Sequence, residues 1–125
     1  MNKGLFFGLL GFFLNLSTVY AQAESPFNLI VVEQKGCHYC MAWKEEVGTN
    51  YPKTQEGKLA PLRLVDLHQE IPEDLDIKPV VFTPTFILAY KGREVGRLEG
   101  YTLEDFFWPY LNQMIAANLV ILDDR

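Results

Sequence analysis

The sequence predicts an α/β fold, a mixed four-stranded sheet flanked by helices. Three observations predict it. The apolar, β-branched run Asn28 to Glu33 leads directly into a segment of helical periodicity. Two later strand-like runs are separated by Lys91-Gly92, a turn signal that makes them antiparallel neighbours. The last long segment, from Leu103 to Ile115, has a broad apolar face at helical spacing.

The first half of the domain is predicted as strand, helix and strand. Asn28 to Glu33 is typical of a strand buried on both faces. His38 to Val47 is predicted as a helix ending at Gly48. Residues 49–61 are predicted as a loop with at most one short turn, and Leu62 to Leu67 as the second strand. A right-handed helical crossover makes these two strands parallel.

The second half is predicted as a short helix, two strands and a helix. Ile71 to Ile77 is predicted as the short helix or as a turn. Thr85 to Tyr90 and Glu94 to Leu98 are predicted as strands, which gives the order β-α-β-(short α)-β-β-α and helices on both faces of the sheet.

The last helix has a predicted cap and a predicted bend. Thr102 is the expected N-cap, and Pro109 should bend the helix because it removes one backbone hydrogen bond. No structure is assigned to residues 119–125. The predicted apolar face consists of Leu103, Phe106, Phe107, Tyr110, Leu111, Met114 and Ile115.

Residues 1–23 have the pattern of a secretory signal peptide. Lys3 supplies a positive charge, Leu5 to Leu16 is almost wholly apolar, and Ala21-Gln22-Ala23 is a small-x-small cleavage signal. The alternative is an uncleaved membrane anchor, which the short apolar run disfavours because a spanning helix needs about 20 residues. We therefore expect cleavage after Ala23, a domain of residues 24–125 and a periplasmic location.

Charge and length exclude some functions. The chain has 125 residues and a formal net charge of −5, without a basic run, so nucleic-acid binding is not expected. It shows no dimerisation extension, so we expect a monomer. Two cysteines are not needed to hold a core of this size, because staples become necessary only below about 40 residues.

Cys37 and Cys40, separated by two residues at a strand-to-helix junction, are the candidate site. Cys37 would lie at the helix N-terminus, where unpaired amides favour a thiolate, so it is the predicted nucleophile. Cys40, one turn into the helix, is predicted to resolve the mixed disulfide. His38 would stabilise the thiolate further. The redox group is then the cysteine pair itself, without a cofactor or metal.

The cysteine pair also allows other interpretations. A structural disulfide would close too short a loop to stabilise the fold much. A zinc site lacks ligands, because only His38 and His68 could join the cysteines. Covalent haem is excluded because Met41, and not histidine, follows Cys40. Copper(I) carriage by the two thiolates stays open as a non-enzymatic alternative.

A second motif, Thr83-Pro84-Thr85, directly precedes a predicted strand. Proline cannot donate to a sheet ladder, so a strand start is one of the few positions open to it. A cis bond would expose the backbone of Thr83 to an extended peptide. From propensity alone a trans bond is expected, since only about 5–6% of X–Pro bonds are cis.

These motifs, in this order and spacing, resemble the thioredoxin superfamily. The resemblance rests on the buried strand, Cys37-His38-Tyr39-Cys40, Thr83-Pro84-Thr85 and the hairpin that ends at Gly100-Tyr101, and it covers nearly all of residues 27–118. It implies a thioredoxin fold and a thiol-disulfide oxidoreductase acting on protein substrates. It also implies that Pro84 is cis and that Thr83 and Pro84 bind the substrate chain.

Glu33 to Cys40 with Trp43 is most similar to the small periplasmic thioredoxins encoded with bacterial sulfur-oxidation (Sox) systems, the SoxS-like group. That resemblance implies a reductase that keeps protein cysteines, including those of a sulfur-carrier protein, reduced. Its electrons would come from a membrane thiol donor. A disulfide oxidase or isomerase is the alternative, favoured by a histidine between the cysteines, which raises the reduction potential by stabilising the reduced state.

The chain departs from standard thioredoxin at two places. His38-Tyr39 replaces Gly-Pro between the cysteines, which makes both residues candidate site residues. Val31 stands where thioredoxin has a buried aspartate, so proton transfer to and from Cys40 must use another group. Glu33 is the nearest acidic candidate along the sequence.

Overall fold

The computed structural model describes Gly4 and residues 24–123, with side chains described as far as Val120. The predicted signal peptide and its cleavage site therefore lie outside the described residues, apart from Gly4. The elements are β1 (Phe27–Glu33), α1 (His38–Trp43), α2 (Gln55–Leu59), β2 (Leu62–Asp66), β3 (Thr85–Tyr90), β4 (Arg93–Glu99) and α3 (Glu104–Asp123). A π-helical turn, Lys44–Gly48, continues α1, and a 3-10 turn, Tyr51–Lys53, precedes α2.

The four strands form one mixed sheet in the order β2-β1-β3-β4. β1 pairs in parallel with β2, Val31 lying opposite Leu64, and antiparallel with β3, Val31 lying opposite Phe86. β3 and β4 are antiparallel. The predicted mixed four-stranded sheet is confirmed, and β1 is buried because it occupies an inner position between two strands.

A tight turn joins β3 to β4, as the sequence predicts. Lys91 and Gly92 both have positive φ, 49° and 80°, which matches the twist of a two-residue hairpin. Gly92 also needs to lack a side chain, because a Cβ there would lie 2.2 Å from the carbonyl oxygen of Asp74. The turn therefore brings the hairpin tip against residues 74–76, where the amide of Asp76 donates to the Gly92 carbonyl at 2.8 Å.

In the part of the chain that the structure describes, one face of the sheet carries the main core and the helices α1, α2 and α3. Trp43 of α1 lies at ring-centroid distances of 5.2 Å from Phe86 and 6.0 Å from Phe107 of α3. Leu29 and Val31 of β1 belong to the same buried cluster. This cluster holds α1 against the sheet, and the first turn of the helix is held in place with it.

The opposite face is not covered by a helix in the described residues. Its cluster contains Ile30, Val32 and Ile87, and the residues packed on it come from the irregular segment 67–80. The prediction of helices on both faces is wrong for this reason. Of the two alternatives predicted for Ile71 to Ile77, the short helix is absent and the turn is present, followed by an isolated bridge from Asp76 to Arg93. The amide and the carbonyl of Asp76 are bonded to Gly92 and Glu94 of the β3–β4 hairpin, at 2.8 and 3.0 Å, so neither is available to a helix through this stretch.

The short helix lies instead within residues 49–61, which were predicted as a loop. Thr54 caps α2, because its hydroxyl accepts a hydrogen bond from the amide of Gly57 at 2.9 Å. The sequence prediction missed this helix because it is only five residues long and contains glycine.

The last helix is longer than predicted. α3 begins at Glu104, two residues after the predicted cap Thr102, and continues through Pro109 into the tail that was left unassigned. Its apolar face is narrower than predicted. Phe107, Leu111 and Ile115 are buried, whereas Leu103, Phe106 and Tyr110 are exposed.

Candidate active site

Cys37 lies at the junction between β1 and α1. The connecting turn is Gln34 to Gly36, and its last residue has a φ of 77°, which glycine adopts without strain. The amide of Cys37 donates to the carbonyl of Gln34 at 3.2 Å, which closes the turn. Cys37 is then the N-cap of α1, and its sulfur accepts from the amide of Cys40 at 3.2 Å.

The two cysteines form a disulfide across the first turn of α1. Their Cα atoms are 5.2 Å apart, a separation that helical spacing supplies directly. Cys40 is 3% exposed, whereas Cys37 is only partly buried. A reacting partner can therefore approach Cys37 more readily than Cys40.

The two residues between the cysteines face solvent. His38 and Tyr39 are both exposed, and their rings meet edge to face with centroids 5.9 Å apart. Met41, directly after the pair, is exposed as well. The accessible cysteine thus lies beside aromatic and apolar side chains that are available to a partner.

The second sequence motif lies at the start of β3. The Thr83–Pro84 peptide bond is cis. Pro84 is buried, and its carbonyl accepts from the amide of Gly100 at 2.8 Å, which ties it to the end of β4. Thr83 is only partly buried, and Val81 and Phe82 before it are exposed.

A groove of about 500 Å³ joins the two motifs. Tyr39 lines it from α1, Phe82 and Thr83 line it from the loop before β3, and residues 99–102 line it from the end of β4. Its lining is mostly apolar, with Glu99 as its charged residue. The structure therefore brings Tyr39 and Thr83, distant in sequence, to one surface suited to an extended chain with apolar side chains.

Comparison with known proteins agrees with this geometry. A family model described as a thioredoxin-like domain matches residues 14–115. The crystal structure of the periplasmic thioredoxin SoxS from Paracoccus pantotrophus, in its reduced form, superposes with a TM-score of 0.70 at 45% sequence identity, covering 72% of this chain and 96% of that one. No curated protein matches.

The chain belongs to the thioredoxin-like family. With a cysteine pair joined across the first turn of the helix that follows β1, this thioredoxin-like protein is a thiol-disulfide oxidoreductase. The SoxS resemblance that the residues around Cys37 indicate is shown by the same comparison.

The thioredoxin-like site also contains Gln34 and His68, neither of which the sequence predicts as a redox-site residue. The side-chain amide of Gln34 donates to Thr83 Oγ1 at 2.8 Å, and its oxygen lies 2.9 Å from His68 Nε2. No motif indicates this contact, because the three residues come from three separate loops. Only the pairing of β1 with both β2 and β3 brings those loops to the same end of the sheet.

Glu33 lies at the end of β1 and forms an ion pair with Lys44, with Oε2 and Nζ 2.6 Å apart. Both side chains line a cavity of about 290 Å³, which Cys37 and Cys40 line as well. Asp66 is the other carboxylate there. The structure therefore places the predicted proton-transfer candidate, Glu33, in the same solvent space as the buried cysteine.

Tyr101 joins the active-site helix to the far wall of the groove. Its hydroxyl donates to the carboxylate of Glu46 in the turn that continues α1. Burial, and then Glu46, raise the pKa of Tyr101 above its ordinary value of 10.0. The hydroxyl therefore stays protonated and keeps donating throughout the neutral range.

Within residues 24–123, no three His, Cys, Asp or Glu side chains are grouped closely enough to hold a metal ion. Across the same residues, no helix combines the length and the apolar character needed to cross a bilayer.

Proposed function

We propose that this protein is an exported reductase that keeps the cysteines of periplasmic proteins reduced through the Cys37–Cys40 pair. The observation that carries the proposal is the disulfide itself, with Cys40 buried and Cys37 accessible beside an apolar groove. The similarity to a periplasmic thioredoxin at 45% identity supports both the compartment and the direction. A sulfur-carrier protein of a Sox system is the proposed substrate class.

The proposed reaction has two thiol-disulfide exchanges. The thiolate of Cys37 attacks one sulfur of a substrate disulfide, and the other substrate sulfur leaves as a thiolate. The thiolate of Cys40 then attacks the sulfur of Cys37, which releases the second substrate thiolate and forms the Cys37–Cys40 disulfide. Two electrons pass from the protein to the substrate, and the state described by the structure is the product.

Thr83, Pro84 and Tyr39 are proposed to bind the substrate chain. The groove between them is lined by Phe82 and Thr83 on one side and by Gly100 and Tyr101 on the other, which leaves backbone and apolar surface for an extended segment. His38 is proposed to stabilise the thiolate of Cys37, because it is the next residue and lies at the start of the helix.

Glu33 is proposed to accept the proton of Cys40 before the second exchange. It shares a cavity with Cys40, and its ion pair with Lys44 holds the carboxylate at the cavity wall. Val31, at the position of the thioredoxin aspartate, is an apolar member of the core cluster and cannot take this role.

Residues 1–23 are proposed to be a cleaved signal peptide, followed by a domain of residues 24–125 that acts as a monomer. Because each turnover leaves the pair oxidised, a second protein must return two electrons. A thiol-based donor in the membrane is the proposed source, since an exported protein cannot draw directly on cytoplasmic thiols.

The reduction potential of the Cys37–Cys40 pair tests the direction of the reaction. We expect a value near that of thioredoxin, about −270 mV, measured by equilibration with glutathione followed by thiol trapping. A value near that of a strong oxidant, about −120 mV, would reject the reductase proposal in favour of the oxidase. The exposed His38 between the cysteines is the feature that favours that alternative.

A further inference from the structure

Gln34 makes hydrogen bonds to three parts of the site. Its backbone carbonyl accepts from the amide of Cys37 at 3.2 Å. Its side-chain amide donates to Thr83 Oγ1 at 2.8 Å, and its side-chain oxygen lies 2.9 Å from His68 Nε2. Gln34 therefore links Cys37, the reactive cysteine, to the loop that precedes Pro84.

The contact with His68 determines which way the Gln34 amide points. A side-chain amide has a donor end and an acceptor end, so an N–H from His68 at the oxygen leaves the NH2 group directed at Thr83. Nε2 carries a hydrogen in the imidazolium and in one neutral tautomer, so the arrangement does not need a charged ring. His68 is itself anchored, because its backbone amide donates to Asp66 Oδ1 at 2.7 Å.

We propose that Gln34 is a positioning residue that holds Thr83 in register with Cys37, and that His68 orients its amide. The proposal rests on the proposed role of Thr83 in binding the substrate chain. Gln34 does not contact the sulfur of the substrate. It acts by fixing the distance between the loop that carries Thr83 and the turn that leads into Cys37.

A positioning role has a specific consequence for reactivity. A peptide disulfide that binds along Thr83 must contact the loop before Pro84 and place its sulfur at Cys37 at the same time. The rate of its reaction therefore depends on the Gln34–Thr83 hydrogen bond. A small aromatic disulfide makes no such contact and reports only the reactivity of the thiolate. The ratio of the two rate constants therefore isolates docking from chemistry.

The experiment compares these two reactions in the full chain carrying Cys40→Ser, so that Cys37 reacts once and stops. The peptide probe is a ten-residue apolar peptide whose cysteine carries 5-thio-2-nitrobenzoate as a mixed disulfide. Cys37 attacks the peptide sulfur, a new disulfide forms and the coloured aromatic thiolate leaves with the electron pair. The small probe is 5,5′-dithiobis(2-nitrobenzoate), which releases the same thiolate.

We expect Gln34→Met to lower the peptide rate constant by about three- to tenfold, the effect of losing one or two hydrogen bonds, with the small-probe rate constant unchanged. Thr83→Val should produce the same loss, and Thr83→Ser should retain the wild-type ratio. The double variant Gln34→Met/Thr83→Val should be no slower than either single variant, because both remove the same bond.

Two further variants keep the test independent of folding. His68 is exposed, so His68→Ala leaves the core intact and should lower the peptide rate constant by about twofold through disorder of the Gln34 amide. Gln69→Met makes the matched change at an exposed glutamine in the same loop and should change neither rate constant. Circular dichroism of each variant confirms that the fold is kept.

Three outcomes would each overturn the proposal. They are an additive loss of the peptide rate constant in the double variant, equal losses of the rate constant with both probes, and an unchanged ratio of the two rate constants in Gln34→Met. These outcomes are separate from failure of the proposed function. The exchange with the probes does not depend on the direction of electron flow, whereas the reductase proposal is rejected by the reduction potential alone.

Discussion

Glu33 is one of two carboxylates, with Asp66, that line the cavity shared with Cys40, and Val31 leaves the position of the thioredoxin aspartate apolar. The side chain of Glu33 is 22% exposed and paired with Lys44, which is 45% exposed. Both groups therefore remain in contact with water, so a proton that the carboxylate accepts in the proposed second exchange has a path to solvent. This arrangement suits a proton acceptor better than a structural ion pair buried in the core.

Glu33→Gln should slow the second exchange, in which Cys40 attacks the mixed disulfide. We expect at least about tenfold slower decay of the mixed disulfide near neutral pH, because a positioned general base typically contributes 10² or more. The formation of the mixed disulfide by Cys37 should keep its rate. Rapid quenching with an alkylating agent, followed by mass spectrometry, measures both steps.

Glu45→Gln is the matched control for that prediction. Glu45 is exposed, directly follows Lys44, the ion-pair partner of Glu33, and does not line the cavity, so its variant should decay at the wild-type rate. If Glu33→Gln decayed as fast as Glu45→Gln, the proton would have to leave by another route, and Asp66 at the same cavity would be the next residue to test.

At the scale of the element, α3 separates into a buried face and an exposed one. Leu111 is 0% exposed and Phe107 is 2% exposed, and they pack into the core that supports α1. Phe106 and Tyr110 are 56% and 54% exposed, although the sequence predicted a single apolar face. The prediction was too broad because residues at helical spacing can be apolar on a wider arc than the sheet can cover.

Leu111→Ala should destabilise the protein by about 2–4 kcal/mol, because it leaves a cavity in the core. Phe106→Ala removes more side chain but from the exposed face, so it should change the free energy of unfolding by no more than about 0.5 kcal/mol. Urea denaturation of the two variants makes the comparison. Equal losses in both would show that the exposed face is covered in solution.

At the scale of the whole molecule, the irregular segment on the second face is fastened to β4 by a cluster of hydrogen bonds. Arg97 donates to the carbonyls of Lys78 and Pro79 at 2.9 and 3.0 Å. Its guanidinium also pairs with Glu94 at 2.7 Å, and a Glu94 oxygen accepts from the Lys78 amide at 2.8 Å. The cluster holds residues 78–79 against β4, beside the sheet face that no helix covers in the described residues.

The pKa of Glu94 reflects this cluster. Burial acts to raise it, but the hydrogen bonds from Arg97 and from the Lys78 amide outweigh burial, so the pKa lies below its ordinary value of 4.5. A carboxyl group whose pKa is lowered by folding stabilises the native state above its unfolded pKa. That contribution is lost as the pH falls through the folded value.

Arg97→Met should therefore cost about 3 kcal/mol near neutral pH, because it leaves the carboxylate of Glu94 buried without its cation. The difference in the free energy of unfolding between the variant and the wild type should shrink as the pH falls below 4.5. In that range the wild type loses the stabilising contribution of Glu94, which the variant lacks already. Urea denaturation of both proteins from about pH 7 to about pH 3 measures the change.

Arg93→Met tests whether burial is the cause. Arg93 pairs with Asp76 at 3.6 Å, but the two side chains are 78% and 81% exposed, so its loss should cost little at any pH. If the free energies of unfolding of Arg97→Met and the wild type differed by the same amount across the pH range, Glu94 would not be the source of the pH-dependent stabilisation.

The sequence by itself determined the elements whose signals are local. The apolar and β-branched composition of Asn28 to Glu33 predicts a buried strand whatever its partners are. Lys91-Gly92 can form a two-residue turn without contacts from the rest of the chain. The CxxC spacing places two sulfurs on one helical turn, so the disulfide also follows from local geometry. Family membership was predictable for the same reason, because its motifs are short and ordered along the chain.

Only the tertiary structure decided which loops meet. Gln34, His68 and Thr83 carry no joint signal in the sequence, and they come together because β1 pairs with β2 on one side and β3 on the other. The cover of the second sheet face was equally unpredictable. The sequence allowed a short helix or a turn at Ile71 to Ile77, and what holds the neighbouring residues 78–79 in place is a long-range network of hydrogen bonds from Arg97 and Glu94. Interactions between residues far apart in sequence depend on the complete fold, whereas local patterns do not.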